Sequence, residues 1–108
     1  MPYVFTTSYI PYNKAQEVAK IYLDNLKDFY AEIRGVAKEI IPIAVKARKD
    51  HIEAVGVYEV EESNVGKYLQ IESKYQVNFH VLEGFSYNIE VRAKAEEALE
   101  TMGLKMPE

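Results

Sequence analysis

The chain of 108 residues has the length of one domain, and its 48% of hydrophobic residues can fill one core, so we predict a single domain over residues 1–108. A net charge of -4, with basic residues dispersed among acidic ones, gives no reason to expect a nucleic acid partner. The absence of cysteine excludes disulfides and thiolate metal sites. With no leader pattern and no apolar run of about 18 residues, we predict a soluble cytoplasmic protein that does not bind a membrane.

The first predicted elements are a strand and a long helix. In residues 3–10, the odd-numbered and the even-numbered side chains are both largely aromatic, β-branched or small. This pattern is typical of a strand that is buried on two faces. Pro11 ends this strand, and Asn13 is a candidate N-cap. Apolar residues at helical spacing then predict an amphipathic helix that continues to Gly35; they are Ala15, Val18, Ala19, Tyr22, Leu23, Leu26 and Tyr30.

Residues 39–60 change to a period of two and predict a β-hairpin. If Lys49 and Asp50 form a two-residue turn, the strands pair Ala47 with Ile52, Val45 with Ala54, Ile43 with Gly56, and Lys46 with Glu53. A longer loop with a bulge and a shifted register is the alternative. Pro42 has no N–H for the ladder, so it places the first strand at a sheet edge or begins that strand.

The remaining pattern predicts a helix, a strand and a short helix. Asn64 is a candidate N-cap for a second long helix that reaches about His80, and Gly84 is its stop signal. Residues 86–93 alternate as a half-buried strand, and residues 95–102 form a short final helix.

The order βαββαβ predicts an α+β, ferredoxin-like fold, in which an antiparallel sheet has both long helices on one face. The other face would expose a sizeable apolar patch that includes Phe5, Val55 and Val57. A homodimer, or a higher homo-oligomer, that stacks two sheets through this face would bury the patch.

The element order, together with residues 3–10, 51–60 and 86–91, resembles the dimeric α/β-barrel superfamily. Its members include antibiotic-biosynthesis monooxygenase-like, stress-responsive barrel and muconolactone isomerase-like proteins. The resemblance implies a homodimer with a small-molecule cleft between helices and sheet. No catalytic signature of a member family is present, so no functional residue is carried over.

The nine tyrosines suggest a ligand pocket. Tyrosine hydroxyls can orient a partly apolar ligand, and the candidates are Tyr9, Tyr12, Tyr22, Tyr58 and Tyr75. The alternative is ordinary core packing with hydroxyls at the periphery.

His80 is the candidate catalytic residue, as a general base at the end of the second helix. The alternative is a structural or solvent-facing role, because no second metal-ligating side chain stands at ligand spacing near it. His51 in the hairpin turn is a weaker candidate. The sequence therefore implies no metal and no cofactor.

Five charged residues lie on the strand face that we expect to meet the second subunit: Lys46, Arg48, Glu53, Glu90 and Arg92. In a stacked dimer, Lys46 of one subunit can approach Glu90 of the other and set the register. An anion-binding cluster of Lys46, Arg48 and Arg92 is the alternative.

The leading hypothesis is a small homodimer that binds a small, partly apolar molecule in the cleft. One alternative is a cofactor-independent monooxygenase or isomerase, in which His80 or a pocket tyrosine moves a proton. Another is a structural oligomerisation module without a ligand. An apolar cavity that reaches His80 and Tyr9 would support the first two hypotheses, whereas a filled core would leave only the third.

Overall fold

One antiparallel sheet and two long helices form the two layers of the protein. The computed structural model describes residues 1–107. Its elements are β1 (Tyr3–Ile10), α1 (Ala15–Ile33), β2 (Ala37–Ala47), β3 (Ile52–Val60), α2 (Val65–Gln76), β4 (Ser86–Arg92) and α3 (Ala95–Glu100). The strands are ordered β2-β3-β1-β4 and every neighbouring pair is antiparallel. The predicted α+β, ferredoxin-like fold with a short C-terminal helix is therefore confirmed.

Both long helices cover the same face of the sheet. The Tyr58 ring in β3 packs against Phe29 of α1 and Tyr68 of α2, with ring centroids 6.3 and 5.4 Å apart. The opposite face, hereafter the open face, carries Phe5 and Thr7 of β1 and Val55 and Val57 of β3. Phe5, Thr7 and Val55 are half-buried, whereas Val57 is only 4% exposed, so the predicted exposure of Val57 is wrong. A two-layer structure with one uncovered side is thin, and the shortest extent of the Cα atoms is 19 Å. Within residues 1–107, no helix is long and apolar enough to cross a lipid bilayer.

The predicted start of α1 and the predicted end of α2 both need correction. A 3-10 turn over Tyr12–Lys14 precedes α1, so Asn13 lies inside this turn and is not the N-cap. α2 ends at Gln76 and is followed by a 3-10 turn over Val77–Phe79. The β-branched Val77 and the following asparagine are poor helix formers, which favours the end of the α-helix here. His80 therefore lies beyond the helix that was predicted to contain it.

The hairpin register is confirmed near the turn and differs farther away. Ala47 pairs with Ile52, Lys46 with Glu53 and Val45 with Ala54, as predicted. The predicted pairing of Ile43 with Gly56 does not form as a regular pair, because the register shifts between Ile41 and Ala44 and leaves both Pro42 and Ile43 opposite Gly56. Proline cannot donate to the ladder, and a bulge accommodates it.

β2 is an edge strand, as Pro42 predicted, but Pro42 does not begin it. The strand extends over 11 residues and leaves large apolar side chains exposed. Ile41 and Ile43 are each 42% exposed, and Val45 is 65% exposed. An apolar edge of this length invites pairing or burial by another chain.

The hydrophobic core consists of two separate clusters. One contains Val4, Ile33, Tyr58, Val60 and Tyr68, and the other contains Ile10, Val18 and Leu82. Along β1, the first cluster contacts the strand at Val4 and the second at Ile10. The two residues between them on the helix side are Thr6 and Ser8, which are too small and polar to join the clusters.

Candidate functional site

A cavity of about 460 Å³ lies between the helices and the sheet, in the gap between the two core clusters. Its floor is made by two register pairs of the central strands, Thr6 with Gly56 and Ser8 with Ala54. Gly56 has no side chain, and the side chains of Thr6, Ser8 and Ala54 are short. The cavity thus arises where small residues on neighbouring strands coincide beneath the helices.

The walls of the cavity are mostly apolar and aromatic. α1 contributes Tyr22, Leu26 and Phe29, and the end opposite the first core cluster includes Phe79 and Phe85, whose stacked rings are 4.8 Å apart. Pocket-lining residues of this kind bury the apolar body of a ligand.

The cavity extends to the edge strand β2. Pro42, Ile43 and Val45 line it there, and all three are exposed to solvent. This side of the cavity is therefore its opening. The absence of a side chain at Gly56 lets the β2 backbone approach the floor closely. A Cβ atom at Gly56 would lie 3.2 Å from the Pro42 carbonyl oxygen.

Three buried polar side chains form what we call the polar end of the cavity: Thr6, Glu72 and Gln76. Each is only 6–7% exposed. The Gln76 Nε2 amide donates to Glu72 Oε1 at 3.1 Å, and the Tyr68 hydroxyl donates to Glu72 Oε2 at 3.2 Å. Within residues 1–107, Thr6 Oγ1 and Gln76 Oε1 have no hydrogen-bond partner. Buried polar atoms without partners are uncommon in folded proteins, which marks this end as incomplete.

Glu72 is the one charged side chain in the cavity lining. Burial raises the pKa of Glu72, and the hydrogen bonds from Gln76 and Tyr68 oppose this effect. No lysine, arginine or histidine of the described residues lines the cavity, so its electrostatic character is acidic. The polar end can hold a proton on Glu72 or accept hydrogen bonds from a bound molecule.

Tyrosine hydroxyls around the cavity are held by carboxylates on neighbouring elements. Tyr58 and Tyr30 donate to the same oxygen of Glu39, Oε2, at 3.0 and 2.9 Å. Burial, followed by the nearby Glu39, raises the pKa of Tyr30. At the cavity wall, the Glu32 carboxylate raises the pKa of Tyr75 to about 12. These phenols are therefore neutral hydrogen-bonding groups near pH 7.

The structure brings three of the five candidate tyrosines to the cavity. Tyr22, Tyr58 and Tyr75 line it. Tyr9 is on the open face, where its ring lies 5.6 Å from the His51 ring, and the Tyr12 hydroxyl donates to the Arg48 carbonyl oxygen. These two are not part of the cavity lining.

His80 is exposed and does not line the cavity. Its ring stacks on Tyr87 with centroids 6.4 Å apart. The cavity thus reaches neither His80 nor Tyr9, so it does not have the predicted extent, although the core is not filled. Proton transfer through His80 gains no support from its position. Within residues 1–107, no group of three or more His, Cys, Asp or Glu side chains could hold a metal ion.

The predicted interface charges are placed on the open face or beside it. Lys46 pairs with Glu53 in the register, and the Arg48 guanidinium lies 3.4 Å from the Glu53 carboxylate. On β4, Arg92 contacts Glu90 at 2.9 Å and lies over the Phe5 ring. Lys46 and Arg92 are on opposite edge strands and at opposite ends of the register, so the structure does not assemble the alternative anion-binding cluster.

The sequence analysis missed the floor and the polar end of the cavity. Thr6 and Ser8 read as ordinary strand residues, and their significance depends on pairing with Gly56 and Ala54. Glu72 and Gln76 had a usable signal. They follow Tyr68 at intervals of four residues and so continue the buried side of α2 with polar side chains.

Comparison with known proteins supports the fold and leaves the family open. No protein-family model and no curated protein matches the chain. A dimeric ferredoxin-like protein from an uncultured marine organism matches with a TM-score of 0.57 and 13% identity, over 87% of this chain and 93% of that chain. The de novo designed protein Foldit4 matches with a TM-score of 0.50 and 10% identity, over 87% of this chain and 99% of that chain. The chain is thus an α+β protein of ferredoxin-like fold.

Proposed function

We propose that this protein binds a small, partly apolar molecule in the cavity between its helices and its sheet. The observation that carries the proposal is the cavity of about 460 Å³, which is largely apolar and ends at buried polar atoms without partners. This size falls in the range of small-molecule sites, and the combination of apolar walls with a few polar groups is typical of them. A purely structural module would have no need of such a space, since an unfilled cavity destabilises a core.

Titration with N-phenyl-1-naphthylamine, a neutral dye that fluoresces in apolar sites, tests the proposal. The dye should bind the protein with one site per chain. Ala54→Leu extends a side chain from the floor into the cavity and should weaken dye binding by about tenfold or more. Ala44→Leu is the matched control, because Ala44 is on the neighbouring strand, is exposed and does not line the cavity.

Absence of dye binding by the folded wild-type protein would contradict the proposal. Equal loss of affinity in both alanine variants would also contradict it, because the dye would then bind somewhere other than the cavity. Circular dichroism of each variant checks that it remains folded.

We further propose that the protein acts as a homodimer through its open face. Phe5 and Val55 present half-buried apolar side chains there, and neither long helix covers them. The ferredoxin-like protein described above, which has the same fold, is dimeric, and this supports a dimeric state. A self-complementary stack of two sheets would bury the exposed apolar surface.

Charged residues at the rim of the open face would fix the orientation of the two subunits. Among residues 1–107, Lys46 has no ion pair, although Glu53 lies across from it on β3. Lys46 is on one edge strand and Glu90 on the other, so a two-fold stack can bring the first to the second across the interface.

A further inference from the structure

The polar end of the cavity restricts the chemistry of an occupant, and this restriction deepens the proposed function and depends on it. Three oxygen-bearing side chains line the cavity there, those of Thr6, Glu72 and Gln76. The Tyr68 hydroxyl lies close to both Thr6 and Glu72, which places these two side chains near each other. The free positions are Gln76 Oε1, an acceptor, and the Thr6 hydroxyl. The Glu72 oxygens each receive one hydrogen bond and keep further capacity as acceptors. The unmet requirement is therefore mainly for hydrogen-bond donors.

The charge of the polar end points to a cation. Glu72 is 7% exposed and has no positively charged partner among residues 1–107. A buried carboxylate without a counter-ion is costly, and either a proton or a cationic ligand relieves the cost. Because no basic side chain lines the cavity, nothing in the described protein competes for Glu72 or repels a cation.

The aromatic residues close to this end are compatible with a cation as well. Phe29 and Tyr58 line the cavity, and their rings lie 6.3 Å apart in an edge-to-face arrangement. The faces of such rings attract an ammonium group when water is excluded.

We propose that the ligand is a primary amine with an apolar body, whose ammonium group binds Glu72, Gln76 Oε1 and the Thr6 hydroxyl. An ammonium group has three donors and no acceptor, which matches the three available oxygen groups. Its apolar body would extend between Tyr22, Leu26 and the Phe79 ring toward β2. A carboxylate ligand of the same length would place a second negative charge beside Glu72.

Competition with three probes of equal length tests this inference: octylamine, 1-octanol and octanoate, each used to displace N-phenyl-1-naphthylamine at pH 7. Octylamine should displace the dye at a concentration about tenfold lower than 1-octanol, since a charge-assisted hydrogen bond is stronger than a neutral one. Octanoate should be the weakest competitor.

Two variants localise the effect to the polar end. Glu72→Gln keeps the size of the side chain and should abolish the preference for octylamine while 1-octanol competes as before. Glu83→Gln is the control, because Glu83 is exposed and does not line the cavity. Gln76→Met removes the free acceptor and should reduce the preference for octylamine over 1-octanol. This second variant tests the inference if Glu72→Gln does not fold.

The outcomes separate this inference from the proposed function. If the dye binds and octanoate competes as well as octylamine, or if the preference survives in folded Glu72→Gln, the amine assignment is wrong and the cavity remains a binding site. If the dye does not bind the wild-type protein, both the amine assignment and the proposed function fail.

Discussion

Thr6 of β1 lies directly across from Gly56 of β3, on the face of the sheet that the helices cover. Because a glycine and a small hydroxyl side chain occupy this central pair, a gap remains between the sheet and the helices. The adjacent pair of Ser8 and Ala54 continues the gap along the strands. Pairing of small residues between two central strands thus determines where the cavity forms.

Gly84 should be intolerant of substitution. It has a φ of +85°, in the left-handed region, and a Cβ atom there would lie 3.0 Å from the Pro11 ring. Gly84→Ala should lower the free energy of unfolding by about 1–2 kcal/mol or more, measured by urea denaturation. Gly66→Ala is the control. Gly66 is helical, and a Cβ atom there would meet nothing within 4 Å, so this change should be neutral or stabilise by up to about 1 kcal/mol.

The fold could be predicted from the sequence because its elements have strong local signals. The alternation in residues 3–10 and 51–60 and the helical spacing after Ala15 survive in the structure. The hairpin register was predictable as far as Val45, because the turn and the apolar pattern both specify it. The predicted register does not continue at Ile43, because the bulge around Pro42 depends on how the two strands pack together.

The site was less predictable because it depends on contacts between distant segments. Of the tyrosines chosen by residue type, Tyr22, Tyr58 and Tyr75 line the cavity. Tyr9 lies on the open face, and the sequence could not show this because both alternating sets of β1 are suitable for burial. The spacing of Glu72 and Gln76 after Tyr68 marks the buried side of α2, but the sequence does not show that Thr6 of β1 lines the same cavity.

Replacement of Glu72 should change the pH dependence of stability. Because burial raises the pKa of Glu72 in the folded chain above its ordinary value of 4.5, this group stabilises the fold at low pH. The contribution is lost as the pH rises through the raised pKa. Glu72→Gln should therefore become more stable relative to wild type as the pH increases above about 4.5.

Urea unfolding at several pH values up to 8 measures this difference. The titratable groups near Glu72 should not obscure it, because burial raises the pKa of Tyr68 on α2, of Tyr58 on β3 and of Tyr22 on α1, and all three stay neutral. A constant stability difference between variant and wild type across this range would show that Glu72 titrates normally.

A charge at the centre of the open face should separate the proposed dimer. Val55→Lys places an ammonium group among Phe5, Thr7 and Val57, and an unpaired buried charge costs about 3 kcal/mol or more, equivalent to a hundredfold weaker association. Sedimentation equilibrium measures the change. Val81→Lys is the control, because Val81 is 82% exposed in the segment between α2 and β4. A wild-type protein that is monomeric at high concentration would refute the dimer.

Exchange of the charges at positions 46 and 90 tests the proposed orientation of the two subunits. Lys46→Glu should weaken dimerisation by about two- to fivefold, as expected for a rim ion pair worth up to about 1 kcal/mol. Addition of Glu90→Lys to the same chain should restore the affinity. Independent effects of the two substitutions in a double-mutant cycle would place Lys46 and Glu90 apart in the dimer.

His80→Ala should leave ligand binding intact. The side chain is exposed, stacks on Tyr87 and lies outside the cavity lining, so the affinity for N-phenyl-1-naphthylamine should not change. The free energy of unfolding should change by no more than about 0.5 kcal/mol, as for most surface substitutions. A clear loss of dye affinity would instead connect His80 to the site.

The division of the core between Val4 and Ile10 makes an occupant of the cavity part of the folded molecule. A ligand that spans the gap joins the two clusters and raises the free energy of unfolding in proportion to the logarithm of its concentration above the dissociation constant. Empty chains open more often around the gap and are more accessible to proteases. If the proposed ligand binds, the steady-state amount of the protein in a cell should therefore rise and fall with the supply of that ligand.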